Sequence, residues 1–444
     1  MLKKIRLERF KNFKEAELTL GNSTILVGTN ATGKSNIGDA LRFLHGISRG
    51  YNLAEILGEK WGQGGFLEWE GIRGGKQNIT FQNSPTFAIE VTFSLPIGDI
   101  DEKEDYLQPM VRAGEYKLIY RVEVNPGING KQPKVIEESL YDLGRSKEKN
   151  LIFKVNESPN NSAKMLLYVS SESEDIKEIE FSRNNSKSFT DSNSIKNILK
   201  NNDIIDKDKI GWSIDDTFNE LSSLKFLDLF PDAMRRPSNP GQNILGDRGE
   251  NLSSVLQGIC ENPTRKRAVL EWLKALTPMD ATDLEFVTDI TGKILLVLIE
   301  ANGQKIPIIS ASDGTLRFLA IIAALFNESD DLPNFSCYFL EELDNGLHPT
   351  RLHLLIELIE TRVKQTNLQI IATTHSSQLL RLLSFETLQN TSLTYRLENQ
   401  PDARIKRIFD ISPETETLIK EQSLARLHES GWLENIMEFS QEEE

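Results

Sequence analysis

Cysteine is nearly absent from this chain, which has two in 444 residues, Cys260 and Cys337. They stand far apart and outside any CxxC pattern, which excludes a disulfide framework and a CxxC-type zinc site. The five histidines form no HExxH motif, so a metal ion is expected to arrive with a substrate. No run approaches the ~18 apolar residues of a membrane span, and the charged start MLKKIRLERF lacks the apolar core of a secretory signal. The sequence therefore predicts a cytoplasmic protein with no membrane contact.

Basic residues are outnumbered by acidic ones. The chain has 51 Lys and Arg against 66 Asp and Glu, and its formal net charge at pH 7 is −15. Such a surface repels nucleic-acid phosphates, which excludes a DNA or RNA coat over the whole surface but leaves room for a localised basic groove. The main basic clusters are Arg235-Arg236 and Arg265-Lys266-Arg267. Clusters of this kind are also typical of a solvated helix face.

The order of apolar runs indicates the fold class. Hydrophobic residues make up 39% of the 444 residues, an ordinary share for a globular protein, and this length allows about three domains. Strand-like runs occupy 86–170, the polar stretch 171–210 is expected to be a solvated loop with short helices, and the last third alternates helix and strand. Such alternation favours a parallel sheet covered by helices. The sequence predicts an α/β fold with an inserted antiparallel β and helical subdomain.

A glycine-rich segment, GTNATGKS at 28–35, lies between the apolar run STILV and an amphipathic helix. This is the context that the phosphate-binding GxxxxGK[ST] motif requires. Backbone N–H groups at the helix start would surround nucleotide phosphates, and the residues expected there are Asn30, Ala31, Thr32, Gly33, Lys34 and Ser35. Lys34 would reach the outer phosphates, and the Ser35 hydroxyl would bind Mg²⁺. The alternative is an ordinary glycine-rich turn with an exposed lysine.

A pair of carboxylates, Glu341 and Glu342, ends the apolar run SCYFL at 336–340. The carboxyl end of a buried strand is where α/β sheets place their chemistry. Because adjacent residues of a strand point to opposite sides, one carboxylate would hold Mg²⁺ and the other would deprotonate the attacking water. A solvated acidic turn is the alternative. His375, which ends the run LQIIATTH, would contact the γ-phosphate or the attacking water.

A second helix start that suits an anion lies at 310–317, SASDGTLR, before a strongly apolar helix. Ser312 suits an N-cap position, and Gly314 lets a ligand approach the N–H groups of the first turn. Since the chain would then carry two phosphate-binding helix ends, we expect ATP to lie between the loop of one subunit and this helix of another. The alternative is a plain capping serine.

Taken together, GTNATGKS, ASDGTLR, FLEELDNGLHP and ATTHSSQLL resemble the motifs of ABC-type ATPases of the RecF/SMC group. The likeness is greatest to the ATPase half of OLD-family proteins and to the stand-alone AAA-like ATPases of prokaryotic anti-phage systems. The resemblance implies that 28–35 is Walker A and that 312–314 is the signature motif, acting across a dimer. It also implies that Glu341 belongs to Walker B, that Glu342 is the catalytic glutamate and that His375 is the switch histidine.

The same resemblance implies a division of the chain. The expected parts are the N-terminal part of an ABC-type ATPase head, an inserted subdomain, the C-terminal part of the head and an acidic C-terminal helix, at 1–75, 76–279, 280–410 and 411–444. Two positions depart from the family pattern: Glu341 stands where aspartate is usual, and Asp313 replaces the second signature residue of transporters. Gln63 and Gln82 are both candidates for the Q-loop glutamine.

The function implied is that of an ATP-binding and ATP-hydrolysing molecular switch with Mg²⁺ as its cofactor. It would form a homodimer or higher homo-oligomer around ATP and gate a separate effector, a nuclease or toxin, in anti-phage defence. The stretch after His375 is too short for the Toprim nuclease of OLD proteins, so the effector is expected on another polypeptide. A RecF/SMC-like DNA-binding clamp in repair or replication is the alternative. A transporter ATPase is disfavoured by the N-terminal strands, the large insertion and Asp313.

Overall fold

Two large sheets organise the computed structural model of this chain. It describes residues 1–65, 67–95, 116–128, 130–143, 149–157, 162–168, 176–182, 207–276, 281–326 and 336–439. One large sheet has six strands and the other has eight, and a three-stranded and a two-stranded sheet accompany them. The buried hydrophobic residues form two clusters. The first cluster contains most of the buried hydrophobic residues of the last third of the chain. The second lies between the first helix and the eight-stranded sheet.

The six-stranded sheet has the order β12-β16-β17-β3-β18-β19. Its strands are β3 (Ser23–Val27), β12 (Leu224–Leu227), β16 (Ser336–Leu340), β17 (Leu368–Thr374), β18 (Thr391–Arg396) and β19 (Ala403–Arg407). Neighbours from β12 to β18 are parallel, and β19 is antiparallel to β18. All residues of β3 and β17 are buried, as expected for strands covered on both faces. This mixed sheet confirms the predicted α/β fold, and the carboxyl ends of β12, β16, β17 and β3 meet along one edge.

The eight-stranded sheet is antiparallel and has the order β11-β10-β9-β8-β7-β6-β1-β2. Its strands are β1 (Leu2–Phe10), β2 (Phe13–Thr19), β6 (Phe87–Leu95), β7 (Tyr116–Asn125), β8 (Lys134–Leu143), β9 (Lys149–Glu157), β10 (Ser162–Tyr168) and β11 (Ile176–Ser182). The loop expected over 171–210 is therefore wrong at β11, which pairs along its length with β10. Residues 171–175 and 183–206 lie outside the described part of the chain.

The segment 76–279 contributes strands to both large sheets. β6 pairs with β1, and β12 pairs with β16. The division of the chain into domains at 76 and 279 stays a prediction. The remaining described strands form two smaller sheets. One consists of β13 (Ala281–Thr288), β14 (Ile294–Glu300) and β15 (Lys305–Pro307), and the other consists of β4 (Lys60–Trp61) and β5 (Leu67–Trp69).

Helices cover the six-stranded sheet. The described helices before the C-terminal segment are α1 (Lys34–Ser48), α2 (Leu53–Leu57), α3 (Lys207–Ser222), α4 (Pro231–Met234), α5 (Leu252–Cys260), α6 (Pro263–Leu276), α7 (Asp313–Phe326), α8 (Pro349–Gln365), α9 (Ser377–Leu380) and α10 (Phe385–Gln389). From Thr315 to Phe326 every residue of α7 except Arg317 is buried. A helix that is apolar on all sides belongs in a core, so the start of α7 is held firmly.

The acidic helix expected over 411–444 is divided into three short helices, α11 (Thr415–Gln422), α12 (Leu424–Glu429) and α13 (Trp432–Phe439). Ser423 and Gly431 interrupt it, because both have a left-handed backbone, with φ 66° and φ 69°. Leu424, Leu427 and Leu433 are buried in the hydrophobic cluster of the last third. Residues 440–444 lie outside the described part. Among the described helices, none is both long and apolar enough to cross a membrane.

Candidate nucleotide-binding site

The glycine-rich loop joins the carboxyl end of β3 to the first turn of α1, which begins at Lys34. Gly28 has φ 154°, and a Cβ atom there would lie 2.2 Å from the carbonyl oxygen of Thr394. Gly33 has φ 105°, and a Cβ atom there would lie 2.6 Å from the ring of Phe13. Both positions therefore require glycine, and the loop can curve tightly into the helix.

Lys34 lies across this loop. Its Nζ atom donates hydrogen bonds to the carbonyl oxygens of Gly28, at 2.5 Å, and Thr29, at 2.8 Å. Burial lowers the pKa of the Lys34 ammonium, and the negative charges of Glu342 and Asp344 partly oppose this shift. The loop lysine therefore lies within the electrostatic influence of the acidic residues that follow β16.

The other loop residues differ in exposure. Asn30 and Ala31 are exposed at the tip. Thr32 is buried, and its hydroxyl donates a 2.8 Å hydrogen bond to the carbonyl oxygen of Thr29. Ser35 is half-buried in the first turn of α1. The N–H groups of this turn are free of the i→i−4 pattern, as at any helix start, so the loop suits an anion.

The two glutamates after β16 contact different groups. The backbone N–H of Glu341 donates to the carbonyl oxygen of Leu227 at 3.1 Å, which places Glu341 between β16 and β12. Glu342 has φ 48°, so the chain turns sharply there. Its carboxylate accepts a 3.0 Å hydrogen bond from the side chain of Asn345. Glu341 is half-buried and Glu342 is exposed, so their environments suit different roles.

Arg73 joins Glu341 to the glycine-rich loop. The guanidinium contacts both carboxylate oxygens of Glu341 at 3.0 Å and donates a 2.5 Å hydrogen bond to the carbonyl oxygen of Ser35. It also contacts Asp39, at 3.1 Å. Since one cationic group reaches both the backbone carbonyl of Ser35 and the carboxylate of Glu341, the first turn of α1 lies beside Glu341. A hydroxyl, a carboxylate and phosphate oxygens are ligands that Mg²⁺ accepts, so the residues present fit the metal ion.

His375 is exposed and follows β17 directly. The preceding residue, Thr374, donates a 2.6 Å hydrogen bond from its hydroxyl to Asp344. The same hydroxyl accepts from the N–H of Ser376 at 3.0 Å. Because β17 lies between β3 and β16, His375 shares the sheet edge with the loop and the acidic pair.

The start of α7 lies beside the turn after β16. The Ser312 hydroxyl accepts a 3.2 Å hydrogen bond from the N–H of Thr315, which makes Ser312 the N-cap. A Cβ atom on Gly314 would lie 3.0 Å from the carbonyl oxygen of Gly346. Within the described part, no hydrogen bond found joins Ser312 or Gly314 to the loop at 28–35. The structure therefore brings Lys34, Ser35, the acidic pair and His375 to one sheet edge, whereas Gly314 lies against the turn after β16 and Ser312 caps its own helix.

Two of the five basic residues noted in the sequence form ion pairs. Arg235 contacts Asp313 at 2.5 Å and Asp232 at 2.9 Å, and Lys266 contacts Asp283 at 2.6 Å. These ion pairs reduce the positive charge that the clusters offer to a nucleic-acid phosphate.

Sequence analysis missed Arg73 and Asp39. Asp39 is a charged residue on the buried face of α1, next to Ala40 and Leu41, and this position was a signal that could have revealed it. Arg73 offered no comparable signal, because it lies in a glycine-rich stretch. The two Q-loop candidates are both exposed: Gln63 lies between β4 and β5, and Gln82 lies in a 3₁₀ turn at Phe81–Asn83.

The match to known families covers most of the chain. The family model described as "AAA domain, putative AbiEii toxin, Type IV TA system" matches residues 23–381. The chain belongs to this family. Membership of this AAA-domain family confirms the prediction of an ATPase, and the matched range includes the loop, the start of α7, the acidic pair and His375.

The individual relatives are less than one third identical to this chain over the aligned residues. The chain is 23% identical over 390 residues to an "ATP/GTP phosphatase" of Helicobacter pylori, covering 86% of this chain and 87% of the relative. It is 29% identical over 181 residues to the "Chromosome partition protein Smc" of Aquifex aeolicus, covering 34% of this chain and 15% of that protein. Similar solved structures include an Smc head bound to the C-winged helix domain of ScpA, with a TM-score of 0.46, 13% identity and coverage of 91% of this chain and 97% of that chain. An SMC head domain from Thermotoga maritima has a TM-score of 0.40, with 12% identity and coverage of 92% and 98%.

Proposed function

We propose that this chain is an ATP-hydrolysing molecular switch that dimerises around Mg-ATP and gates a separate effector, a nuclease or toxin, in prokaryotic anti-phage defence. The observation that carries the proposal is the meeting of Lys34, Ser35, Glu341 and Glu342 at one edge of the six-stranded sheet. A phosphate-binding loop and two separate carboxylates are what nucleotide hydrolysis requires.

The residues take distinct roles in this proposal. Lys34 and the N–H groups of 30–35 bind the phosphates. Ser35 and Glu341 hold Mg²⁺, which supplies charge neutralisation to the phosphates when it is bound. Glu342 accepts the proton of the attacking water, and His375 orients the γ-phosphate or that water. The exposed position of Glu342 and His375 at the sheet edge supports these assignments.

A second subunit completes the site in this proposal. Ser312 is exposed, and its hydroxyl caps the first turn of α7. An exposed helix start of this kind suits the γ-phosphate that another copy presents. Two copies would then form two composite sites, each built from the loop of one subunit and the start of α7 of the other.

The defence role is supported by the family description, which names a toxin of a Type IV toxin–antitoxin system. The name of the Helicobacter pylori relative supports hydrolysis of a nucleoside triphosphate and extends the candidates from ATP to GTP. Competition between the two nucleotides in a binding measurement will decide which one this chain prefers.

Mixing two inactive variants tests the composite site. Lys34→Ala removes the phosphate cation, and Ser312→Arg blocks the start of α7 with a bulky side chain. In a mixed dimer one site carries both defects and the other carries neither, so ATPase activity should partly return. Thr288→Arg, an exposed position on β13, is the matched control and should behave as wild type. No recovery at any ratio, with mixed dimers shown to form, would refute the shared site.

Gating requires a second test. The product of the neighbouring gene should associate with Glu342→Gln in the presence of ATP, because this variant keeps the nucleotide. It should not associate with Lys34→Ala. Association that is equal in both variants would contradict gating by ATP.

A DNA-binding clamp is the second candidate, and the partial match to an Smc protein favours it. The ion pairs of Arg235 and Lys266 count against it. A clamp predicts DNA affinity that falls steeply with salt, since bound phosphates release counterions. DNA binding that is weak at low salt and independent of ATP would exclude the clamp.

A further inference from the structure

We propose that Arg73 and Mg²⁺ compete for the carboxylate of Glu341, so that Arg73 sets the Mg²⁺ concentration at which nucleotide is held. The inference rests on the proposed function, in which Glu341 holds the metal ion. It adds a regulatory residue outside the four sequence motifs.

Arg73 contacts both carboxylate oxygens of Glu341. Nη1 of Arg73 donates to Oε2 of Glu341 at 3.0 Å, and Nη2 lies 3.0 Å from Oε1. Nη2 also donates to the carbonyl oxygen of Ser35 at 2.5 Å. A guanidinium that engages both oxygens of a carboxylate is among the stronger ion pairs in proteins. Two cations beside one carboxylate repel each other, so full metal binding favours departure of the guanidinium.

The structure allows Arg73 to leave without isolating a buried charge. Asp39, whose side chain is 3% exposed, pairs with Arg73 at 3.1 Å and also with Lys11. When Arg73 moves away, Lys11 still neutralises Asp39, and the high cost of an unpaired buried carboxylate is avoided. The ammonium of Lys11 also donates a 2.9 Å hydrogen bond to the carbonyl oxygen of Arg73, so the backbone stays in place while the side chain moves.

A cavity beside Glu341 has room for the side chain. This cavity of about 120 Å³ is lined by Arg73 and Glu341 together with Glu70 and Asp228. The side chain of Arg73 is 51% exposed, so packing does not hold it. Asp228 offers the guanidinium an acidic partner there, whereas Glu70 already pairs with Arg248.

The test measures Mg²⁺ dependence of nucleotide binding, without catalysis. Fluorescent ADP is titrated with Mg²⁺ in the presence of wild type, Arg73→Met and Arg73→Lys. Competition predicts half-saturation at a Mg²⁺ concentration about fivefold or more lower in Arg73→Met, because a bidentate charged contact no longer has to break. Arg73→Lys cannot contact both oxygens, so its half-saturation should lie between those of wild type and Arg73→Met. Because it keeps a long basic side chain, it also controls for misfolding of Arg73→Met.

Arg381→Met is the matched control. Arg381 is as exposed as Arg73 and contacts both carboxylate oxygens of Glu429 at 3.0 Å, so this change removes a comparable ion pair without touching Glu341 or the cavity. Its half-saturation should equal that of wild type. An unchanged or higher Mg²⁺ requirement in both Arg73 variants would overturn the competition and make Arg73 a group that positions Glu341 for the metal. Absence of nucleotide binding in the wild type would instead refute the nucleotide site itself.

Discussion

Glu342 and Thr373 are joined across the gap between β16 and β17: the backbone N–H of Glu342 donates a 2.9 Å hydrogen bond to the hydroxyl of Thr373. The N–H of the next residue, Leu343, donates to the carbonyl oxygen of Thr373 at 3.0 Å. Glu342 has φ 48°, a backbone conformation that costs energy in a residue with a side chain. Thr373 therefore stabilises the turn that presents the proposed general base.

Replacement of Thr373 by valine tests this relationship. Thr373 is 1% exposed, and valine keeps its shape but removes the acceptor for the Glu342 N–H. We expect Thr373→Val to lose about 1 kcal/mol of unfolding free energy and to lower the rate of ATP hydrolysis. Urea unfolding and steady-state turnover measure the two effects. Thr373→Ser keeps the hydroxyl and is the control; equal turnover in all three proteins would show that the bond does not position Glu342.

Lys34→Ala should abolish ATP binding. The Nζ atom of Lys34 lies within hydrogen-bonding distance of two carbonyl oxygens of the loop, where it can turn to phosphate oxygens. Its removal leaves the phosphate charge poorly compensated. Calorimetry with Mg-ATP checks this, and Lys14→Ala, at an exposed position on β2, is the control. Unchanged affinity in Lys34→Ala would show that 28–35 is not the phosphate site.

Glu342→Gln should separate binding from hydrolysis. Glutamine keeps the size of the side chain and can still accept the hydrogen bond from Asn345, but it cannot take a proton from water. The variant is expected to bind ATP, to lose most of its turnover and to accumulate as an ATP-bound dimer. Light scattering after size-exclusion chromatography detects the dimer, with the exposed Glu398→Gln as control. Wild-type turnover would move the general base to Glu341 or His375.

Lys225→Met should stabilise the protein near neutral pH. Burial at the edge strand β12 lowers the pKa of Lys225 from 10.5 to about 8. At pH 7 the lysine is charged in both the folded and the unfolded chain, so the folded protein carries the cost of a buried charge. Between pH 8 and pH 10.5 the unfolded chain holds more protons, and stability therefore rises with pH in this window.

Measuring the unfolding free energy of Lys225→Met at two pH values separates the effect of charge from that of packing. Lys225→Met is expected to gain about 1–3 kcal/mol of unfolding free energy at pH 7, and this gain should vanish as the pH approaches 10.5. Urea unfolding at both pH values measures it, and the exposed Lys14→Met is the control. A gain that is equal at both pH values would show that packing, not charge, decides the effect.

The local parts of the site could be predicted because each is carried by neighbouring residues. Gly28 and Gly33 have backbone angles that favour glycine, and the strand and helix around them follow from apolar spacing. The end of β16 at Leu340, directly before Glu341, was predicted for the same reason. The roles of these residues stay predictions, since position alone does not establish chemistry.

The fold of the middle of the chain was harder to predict. β11 was expected to be loop, because its sequence is polar and its strand state depends on pairing with β10. The C-terminal helix was expected to be continuous, and left-handed backbone at Ser423 and Gly431 divides it. At β11 pairing with a distant strand outweighed local propensity, whereas the C-terminal helix is divided by the backbone conformation of two of its own residues.

By itself the sequence determined the loop, the order of the motifs and the α/β class, since these depend on residues close together in the chain. Only the tertiary structure decided that β12 lies beside β16 and that Arg73 reaches Glu341 and Asp39. The physical reason is that strand pairing and ion pairs join residues far apart in sequence. Which of many carboxylates a given arginine meets therefore follows from the packing of the whole chain and not from any local pattern.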